Sequence, residues 1–230
     1  MNILIACEES QRVTIEFRKL GHKAYSCDLL DCSGGYPEFH IKQDVLPLLN
    51  GNCHFTTSNG ISHYINSKWD MIIAFPPCTY LTFAGNQMLS EKLRTLEQIA
   101  YRKKQRSLAA QFFLQIINAD CARIAVENPV GFMNSYYRQP DQIIHPYFFG
   151  DSAMKRTCLW LKGLPCFVPS PYSVKPDPIS KKPSGKNVYF VESVSAPRSV
   201  RSIIRSKTFP GVAKAMALQW SDNLSSYYLL

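Results

Sequence analysis

A chain of 230 residues with 46% apolar and 12% aromatic side chains can build one packed α/β domain, or a domain with an appendage, and is too rich in core formers to be disordered. No apolar run approaches the ~20 residues that span a bilayer, and "MNILIACEES" has no basic start and reaches Glu8 and Glu9 too early for a secretory signal, so we expect a soluble cytoplasmic protein without membrane contact. The net charge is +9, and the eight cysteines and five scattered histidines show no zinc-ligand spacing, so free thiols and no metal are expected.

In chain order, "NILIA" (Asn2 to Ala6) has the length of a buried strand. Ser10 is placed to cap a helix over "QRVTIEFRKL", with Val13, Ile15, Phe17 and Leu20 on its packed face and Gly21 as its stop. "KAYSC" predicts a second strand ending at Asp28, and strand, helix and strand with tight joins make a βαβ unit, hence a parallel sheet. "WDMIIAF" (Trp69 to Phe75) reads as a strand, Ser90 to about Asn118 as a long helical segment, and "ARIAVE" (Ala122 to Glu127) as another buried strand. "RTCLWL" (Arg156 to Leu161) fits a later strand. Six prolines from Pro165 to Pro183 forbid regular structure, and "GVAKAMALQW" (Gly211 to Trp220) returns to helix. The expected architecture is one Rossmann-like α/β domain, largely parallel with helices on both faces. It is formed by residues 1–164 and 196–230, with a short basic Pro-rich insert at 165–195.

Ligands of open parallel sheets bind beyond the carboxyl ends of the strands. Four such ends carry polar or reactive groups here: "CEES", Asp28, "FPPC" and "ENP". A carboxylate ending the second strand can accept both hydroxyls of a ribose, so Asp28 is a candidate, with Asp44 in "IKQDV" beside it. The first turn has no G-x-G-x-x-G, which argues against a dinucleotide. Cys78 follows two prolines that stiffen its loop. Alone it reads as a buried core thiol; at a strand's carboxyl end it is placed as a nucleophile. Glu127 ends the next strand, and a carboxyl that keeps its proton can hydrogen-bond a ring nitrogen or deliver that proton.

These segments, in this order, resemble the C5-cytosine DNA methyltransferases, and more narrowly the short cytosine methyltransferase-like proteins of phage and prophage genomes. "FPPCTYL" is similar to the family's Pro-Pro-Cys loop, "VENPVG" to its Glu-Asn-Val segment and "MKRTCLW" to its arginine motif. "RSIIRSKTFPG" has the family's arginine spacing before Phe-Pro, and the terminal helix resembles the one that returns to the cofactor pocket. The resemblance implies a class I methyltransferase fold and methyl transfer from S-adenosylmethionine to carbon 5 of cytosine in DNA. It implies Cys78 as the nucleophile at C6, Glu127 at N3 and Arg156 as the motif's arginine. The cofactor would lie along Ala6, Cys7, Glu8, Ser10, Asp28, Asp44, Phe75 and Pro76, its carboxylate at the helix N terminus near Ser10 and Gln11. The setting implied is the cytoplasm of a bacterium or a phage-infected cell.

The chain departs from the family in three places. The first loop has no glycine, so Glu8 and Glu9 either bind the cofactor's ammonium or oppose its carboxylate. Cys158 stands where a second arginine is expected, and the stretch between Gly163 and Ala196 is short for a target-recognition region. A pyrimidine-modifying enzyme acting on RNA or free nucleotides, and a non-catalytic nucleic-acid or nucleotide binder, therefore stay open beside DNA methylation.

From Pro165 to Lys207 eight Lys/Arg oppose two acids, a local excess of +6 that suits a phosphate backbone. The nucleic-acid candidates are Lys181, Lys182, Lys186, Arg198 and Arg201. Neutralising Lys181, Lys182 and Lys186 together is expected to weaken nucleic-acid binding and to lower the slope of log affinity against log salt by about 2 to 3. Fluorescence-anisotropy titrations across a salt series would check this, and an unchanged slope would make the basic stretch an ordinary solvated surface.

Overall fold

The computed structural model describes residues 1–170, 173–176, 180–181, 184, 187–188 and 204–221, with the backbone alone at 180, 181, 187 and 188. A seven-stranded sheet in the order β3-β2-β1-β6-β7-β9-β8 organises the chain. Its members are β1 (Asn2–Ala6), β2 (Lys23–Asp28), β3 (His40–Lys42), β6 (Met71–Ala74), β7 (Ile124–Pro129), β8 (Gln142–Ile144) and β9 (Thr157–Lys162). Strands β3, β2, β1, β6 and β7 pair in parallel, whereas β9 runs antiparallel to both β7 and β8. The protein is thus an α/β fold on a mostly parallel mixed sheet.

Side-chain alternation explains the layers, because successive residues of a strand face opposite sides. On one face Leu4, Cys27, Ile72, Val126 and Trp160 pack with Phe113 and Ile116 of α2 (Leu96–Ile117). On the other, Ile3, Ile5, Ile73, Ala125 and Leu159 pack with Val13 and Phe17 of α1 (Arg12–Lys19) and with Val212 and Met216 of α4 (Pro210–Trp220), while the one-turn α3 (Met133–Tyr136) lies between β7 and β8 in the chain. A short antiparallel hairpin, β4 (Cys53–Thr56) with β5 (Ser62–Ile65), adds Phe55 and Ile65 to the first face. Among the described residues, no helix is long and apolar enough to cross a membrane.

Several boundaries differ from the sequence expectation for identifiable reasons. The first helix starts at Arg12 with Gln11, not Ser10, at its cap position; Gln11 has φ 56° and caps nothing with its side chain. Gly21 does end that helix, at φ 83°, with its N–H donating to the Arg18 carbonyl. The long helix starts at Leu96 instead of Ser90, because Thr95 and Gln98 form a capping box. Residues Phe83–Leu89 form a separate 3-10 segment ahead of it. Of the Pro-rich stretch, residues 180–181 and 187–188 pair as two-residue antiparallel strands, and the fuller reading of 165–195 as an insert falls mostly outside the described residues.

Trp160 is fully buried, meets Phe113 edge-on at 5.1 Å, and its indole N–H donates to the Arg138 carbonyl at 2.9 Å. Trp160→Ala should therefore cost about 3–5 kcal/mol of stability, read as a lowered urea midpoint with the secondary structure retained in buffer.

Candidate active site at the carboxyl ends of the strands

The sheet order reverses between β1 and β6, so the crevice beyond their carboxyl ends, after Ala6 and Ala74, is the place for a ligand. The loop after β1 is held in an unusual shape, with Cys7 at φ 58° and Gln11 at φ 56°. This turns Glu8 inward. Its carboxylate accepts the Val13 N–H at 2.6 Å, the Thr14 N–H at 3.2 Å and the Thr14 hydroxyl at 2.7 Å. The anion expected at this helix N terminus is thus the chain's own, which satisfies donors and dipole together. Ser10 is buried without serving as a cap.

A second loop folds against the first. Ser33 N–H donates to the Glu9 carbonyl at 2.8 Å, and the buried Gln11 amide grips Tyr36 from both sides, accepting its N–H at 3.1 Å and donating to its carbonyl at 2.8 Å. A Cβ at Gly34 would stand 2.6 Å from Gln11 Cβ and 2.8 Å from the Ser10 carbonyl, so only glycine fits that contact. The glycine of "SGG" thus serves the packing of the second loop on the first.

Asp28, Asp44 and Cys27 surround Cys7. Burial first, and then Asp28, Cys27 and Asp44, push the Cys7 thiol far above its ordinary range. The Asp28 carboxyl, which accepts the Leu30 N–H at 2.9 Å, is raised by burial. Asp44, exposed, accepts the Leu46 N–H at 3.0 Å. Glu9 is nearly buried, and its Oε1 has no hydrogen-bond donor but faces the Lys207 ammonium at 3.6 Å. Cationic or multiply hydroxylated ligands suit such a set of carboxylates.

Beyond β6 the Phe75 N–H donates to the Ala6 carbonyl at 3.0 Å, extending the pairing, and Asn128 of β7 donates to the Pro76 carbonyl at 2.9 Å. The Cys78 carbonyl then accepts the N–H groups of Leu81 at 2.9 Å and Thr82 at 3.1 Å. Two arginines of α2 hold the outgoing arm: Arg102 donates to the Thr79 carbonyl at 3.1 Å, and Arg106 to the Tyr80 carbonyl at 3.0 Å and Asn86 at 2.7 Å. From the β7 side, the Phe132 N–H donates to the Leu81 carbonyl at 2.6 Å. Sequence reading missed both arginines, and a basic face with i, i+4 spacing (Arg102, Arg106) is the signal that pointed to them.

Cys78 is half-buried on this braced loop. Burial and the Glu127 carboxylate raise its thiol, while Lys155 and a backbone N–H lower it. Glu127 and Lys155 form an ion pair at 3.6 Å, with side chains 16% and 18% exposed. The structure thus brings Cys78, Glu127 and Lys155 together. Arg156, chosen from the sequence, is exposed and acts on His145 and Cys158, while Cys158 itself is a fully buried core thiol. Lys155, its neighbour, was overlooked. A basic residue just ahead of the strand that pairs with Glu127 is the signal: the register puts Leu159 opposite Glu127 and ends at Thr157, so the segment carrying Lys155 enters β9 at this rim.

The chain before α4 returns to this rim. Arg12 donates to the Thr208 carbonyl at 2.6 Å, Lys207 to the Ser33 hydroxyl at 2.9 Å, and Lys155 to the Arg205 carbonyl at 3.3 Å. Asp151 accepts the Gly211 N–H at 2.8 Å at the start of α4. A surface cleft of about 510 Å³ opens beside the Cys78 loop, with Tyr80, Arg94, Tyr101 and Arg102 among its lining. Lys182, Lys186, Arg198 and Arg201 lie outside the described residues, as does the Lys181 side chain. Among the described residues, no group of three or more His, Cys, Asp or Glu is placed to hold a metal ion.

Burial outweighs the three donors and raises the Glu8 carboxyl from its ordinary 4.5 to about 7. The folded state then binds this proton more tightly than the unfolded chain, so the contribution is complete below pH 4.5 and lost as pH rises through about 7. Between about pH 5 and 8 the wild type should lose about 2.5 kcal/mol more stability than Glu8→Gln, as urea unfolding at several pH values would measure.

No model of a known protein family matches this chain, and a search of curated proteins finds no match. A reading of its function therefore rests on the geometry of the rim and on the motifs that build it.

Proposed function

We propose that this chain is a cytosine-C5 methyltransferase acting on DNA, with Cys78 as the nucleophile and S-adenosylmethionine as the methyl donor. The observation that carries the reading is the meeting of Cys78, Glu127 and Lys155 at one strand-end rim, beside the carboxylates grouped around Cys7. The parallel strands support a Rossmann-like, class I methyltransferase fold. Counting the sheet strands in chain order, β3-β2-β1-β6-β7 is the 3-2-1-4-5 arrangement of a doubly wound sheet, whose ligands sit at the reversal.

The residues around Cys7 fit the proposed cofactor. Asp28 and Asp44 both act on Cys7, and a carboxylate at the end of the second strand suits ribose hydroxyls; Glu9 Oε1 already faces the Lys207 ammonium. The cofactor's own carboxylate finds the α1 N terminus taken by Glu8, so that contact is not part of the proposal. When bound, S-adenosylmethionine supplies an electrophilic methyl group.

The protein's task is to make a poor carbon nucleophile reactive. The Cys78 thiol gives up its proton, and its sulfur bonds to C6 of the ring. The C5–C6 π electrons are thereby freed, so that C5 gains enamine character and can take the methyl group. The proton that leaves Cys78 passes through water to Glu127, whose protonated carboxyl then donates to N3 and stabilises the electron density displaced there. The C5 proton then leaves to water or a base, the C–S bond breaks, and the thiolate is restored. A cytosine in a duplex must first leave the stack. The cleft lined by Tyr80, Tyr101, Arg94 and Arg102 has the aromatic and basic groups that receive an unpaired strand.

Glu8's occupation of the helix terminus favours a second reading, a nucleic-acid or nucleotide binder that does not transfer methyl groups. Labelled S-adenosylmethionine offered with DNA, RNA and free nucleotides separates the two. Transfer to DNA cytosine is expected. Transfer only to RNA or nucleotides would move the substrate, and transfer to none would sink the enzymatic reading. A 5-fluorocytosine oligonucleotide should trap the protein covalently, and Cys78→Ser should reduce the trapped fraction to background. A trap that survives this substitution would place the nucleophile elsewhere.

A further inference from the structure

We infer that Lys155 is the positioning cation of the Cys78 centre: its ammonium, held between the Glu127 carboxylate and the Arg205 carbonyl, fixes that carboxylate and compensates the charge of the thiolate. The inference deepens the pyrimidine-C6 reading and rests on it for its role in catalysis, but the electrostatic arrangement is a property of the protein alone.

Three observations carry it. Lys155 and Glu127 meet at 3.6 Å with side chains 18% and 16% exposed, so the pair is largely withdrawn from solvent screening. Lys155 also donates to the Arg205 carbonyl at 3.3 Å, which leaves its ammonium little freedom to leave the rim. The register of β9 ends with Thr157 opposite Pro129, so Lys155 stands on the segment entering the strand beside Glu127, whereas Cys158, within the strand, is fully buried. The residue aligned with the expected second arginine is thus a buried thiol, and the cation that reaches the carboxylate comes from three positions earlier.

The chemistry requires such a group. When the Cys78 proton leaves to water, a negative charge appears on a half-buried sulfur that already faces Glu127. Two anions in one recess repel, and a single cation close to both relieves the repulsion. The other cations packed against the loop, Arg102 and Arg106 of α2, direct one N–H each at the carbonyls of Thr79 and Tyr80, neither of them acts on the Cys78 thiol, and Arg156 is exposed to solvent. Lys155 is the described cation that acts on both the thiol and Glu127.

The experiment is peptide-resolved alkylation of the full chain with iodoacetamide across a pH series, reading Cys78 and using the other cysteines as internal references. Lys155→Gln should raise the midpoint for Cys78 by about one pH unit, seen as roughly tenfold slower modification at a fixed pH below the midpoint. Lys155→Arg should stay near the wild type, and Glu127→Gln should lower the midpoint. Lys155→Met, which keeps the length and apolar stem, is read in the same way should the glutamine variant fail to fold. An unchanged Cys78 midpoint in the folded glutamine or methionine variant would overturn the assignment, as would an arginine variant that behaves like either. Because alkylation needs no methyl donor and no nucleic acid, its outcome is independent of the transfer assay. The expected shifts without any methyl transfer would leave Lys155 in place and remove only the enzymatic reading.

Discussion

Strand β1 is the constraint on which the rest of the molecule depends. It pairs in parallel with β2 on one side and β6 on the other, and Ile3, Leu4, Ile5 and Ala6 are all fully buried. A strand covered on both faces carries apolar side chains, and the buried polar group of its neighbour β2, Ser26, is matched by His40 of β3 at 2.9 Å, so the carboxylates and the reactive thiol fall at or beyond the strand ends. The chain also reverses its strand order at β1, which leaves the carboxyl ends of β1 and β6 without a covering connection between them. The carboxylates around Cys7 and the thiol of Cys78 meet at that rim for this reason.

The apolar strands were legible because burial on two faces writes itself as a continuous apolar run. "NILIA", "MIIA" and "RIAV" could hardly be read otherwise, and once they were placed, Asp28, Cys78 and Glu127 followed as strand-end residues. The strands β3 and β8 are three residues each, too short for any period, and the hairpin of β4 and β5 alternates in burial but not in residue type, with His63 turned inward and Tyr64 outward. These went unseen. Ser10 was misread as a cap because cap residues are recognised one position ahead of a helix, whereas Glu8 reaches in from a loop with left-handed residues at Cys7 and Gln11. Lys155 escapes notice beside Arg156 because a motif aligns residue types, whereas which cation meets Glu127 depends on how the segment entering β9 runs along the rim. Register is set by pairing partners remote in sequence, here Glu127 opposite Leu159.

The Cys78 loop illustrates a different economy. Its bracing uses main-chain carbonyls as acceptors: Pro76 from Asn128, Thr79 from Arg102, Tyr80 from Arg106 and Leu81 from the Phe132 N–H. Hydrogen bonds from charged donors are roughly twice as strong as neutral ones, and two of these four donors are guanidinium groups. Such bracing fixes the backbone without consuming the side chain of Cys78. The glycine contact between Gly131 and the Leu81 carbonyl adds a steric limit, since a Cβ at residue 131 would overlap that oxygen.

A fixed loop carries a consequence for the thiol it presents. A cysteine on a mobile segment can ionise by swinging into water, where its charge is solvated at no cost to the fold. Cys78 lacks that route while Pro76, Thr79 and Tyr80 are tied down on either side of it, so its charge must be met where the sulfur stands. Glu127 alone makes that harder, because it places a second negative group against the sulfur. Rigidity of the loop and a cation at the rim are therefore parts of one arrangement: the tighter the backbone is held, the more the reactivity of the sulfur depends on groups brought to it. In this fold they arrive from the segment before β9, anchored through the Arg205 carbonyl to the chain entering α4. The C-terminal return of the chain thus sets the electrostatics of a thiol whose own loop lies more than a hundred residues earlier.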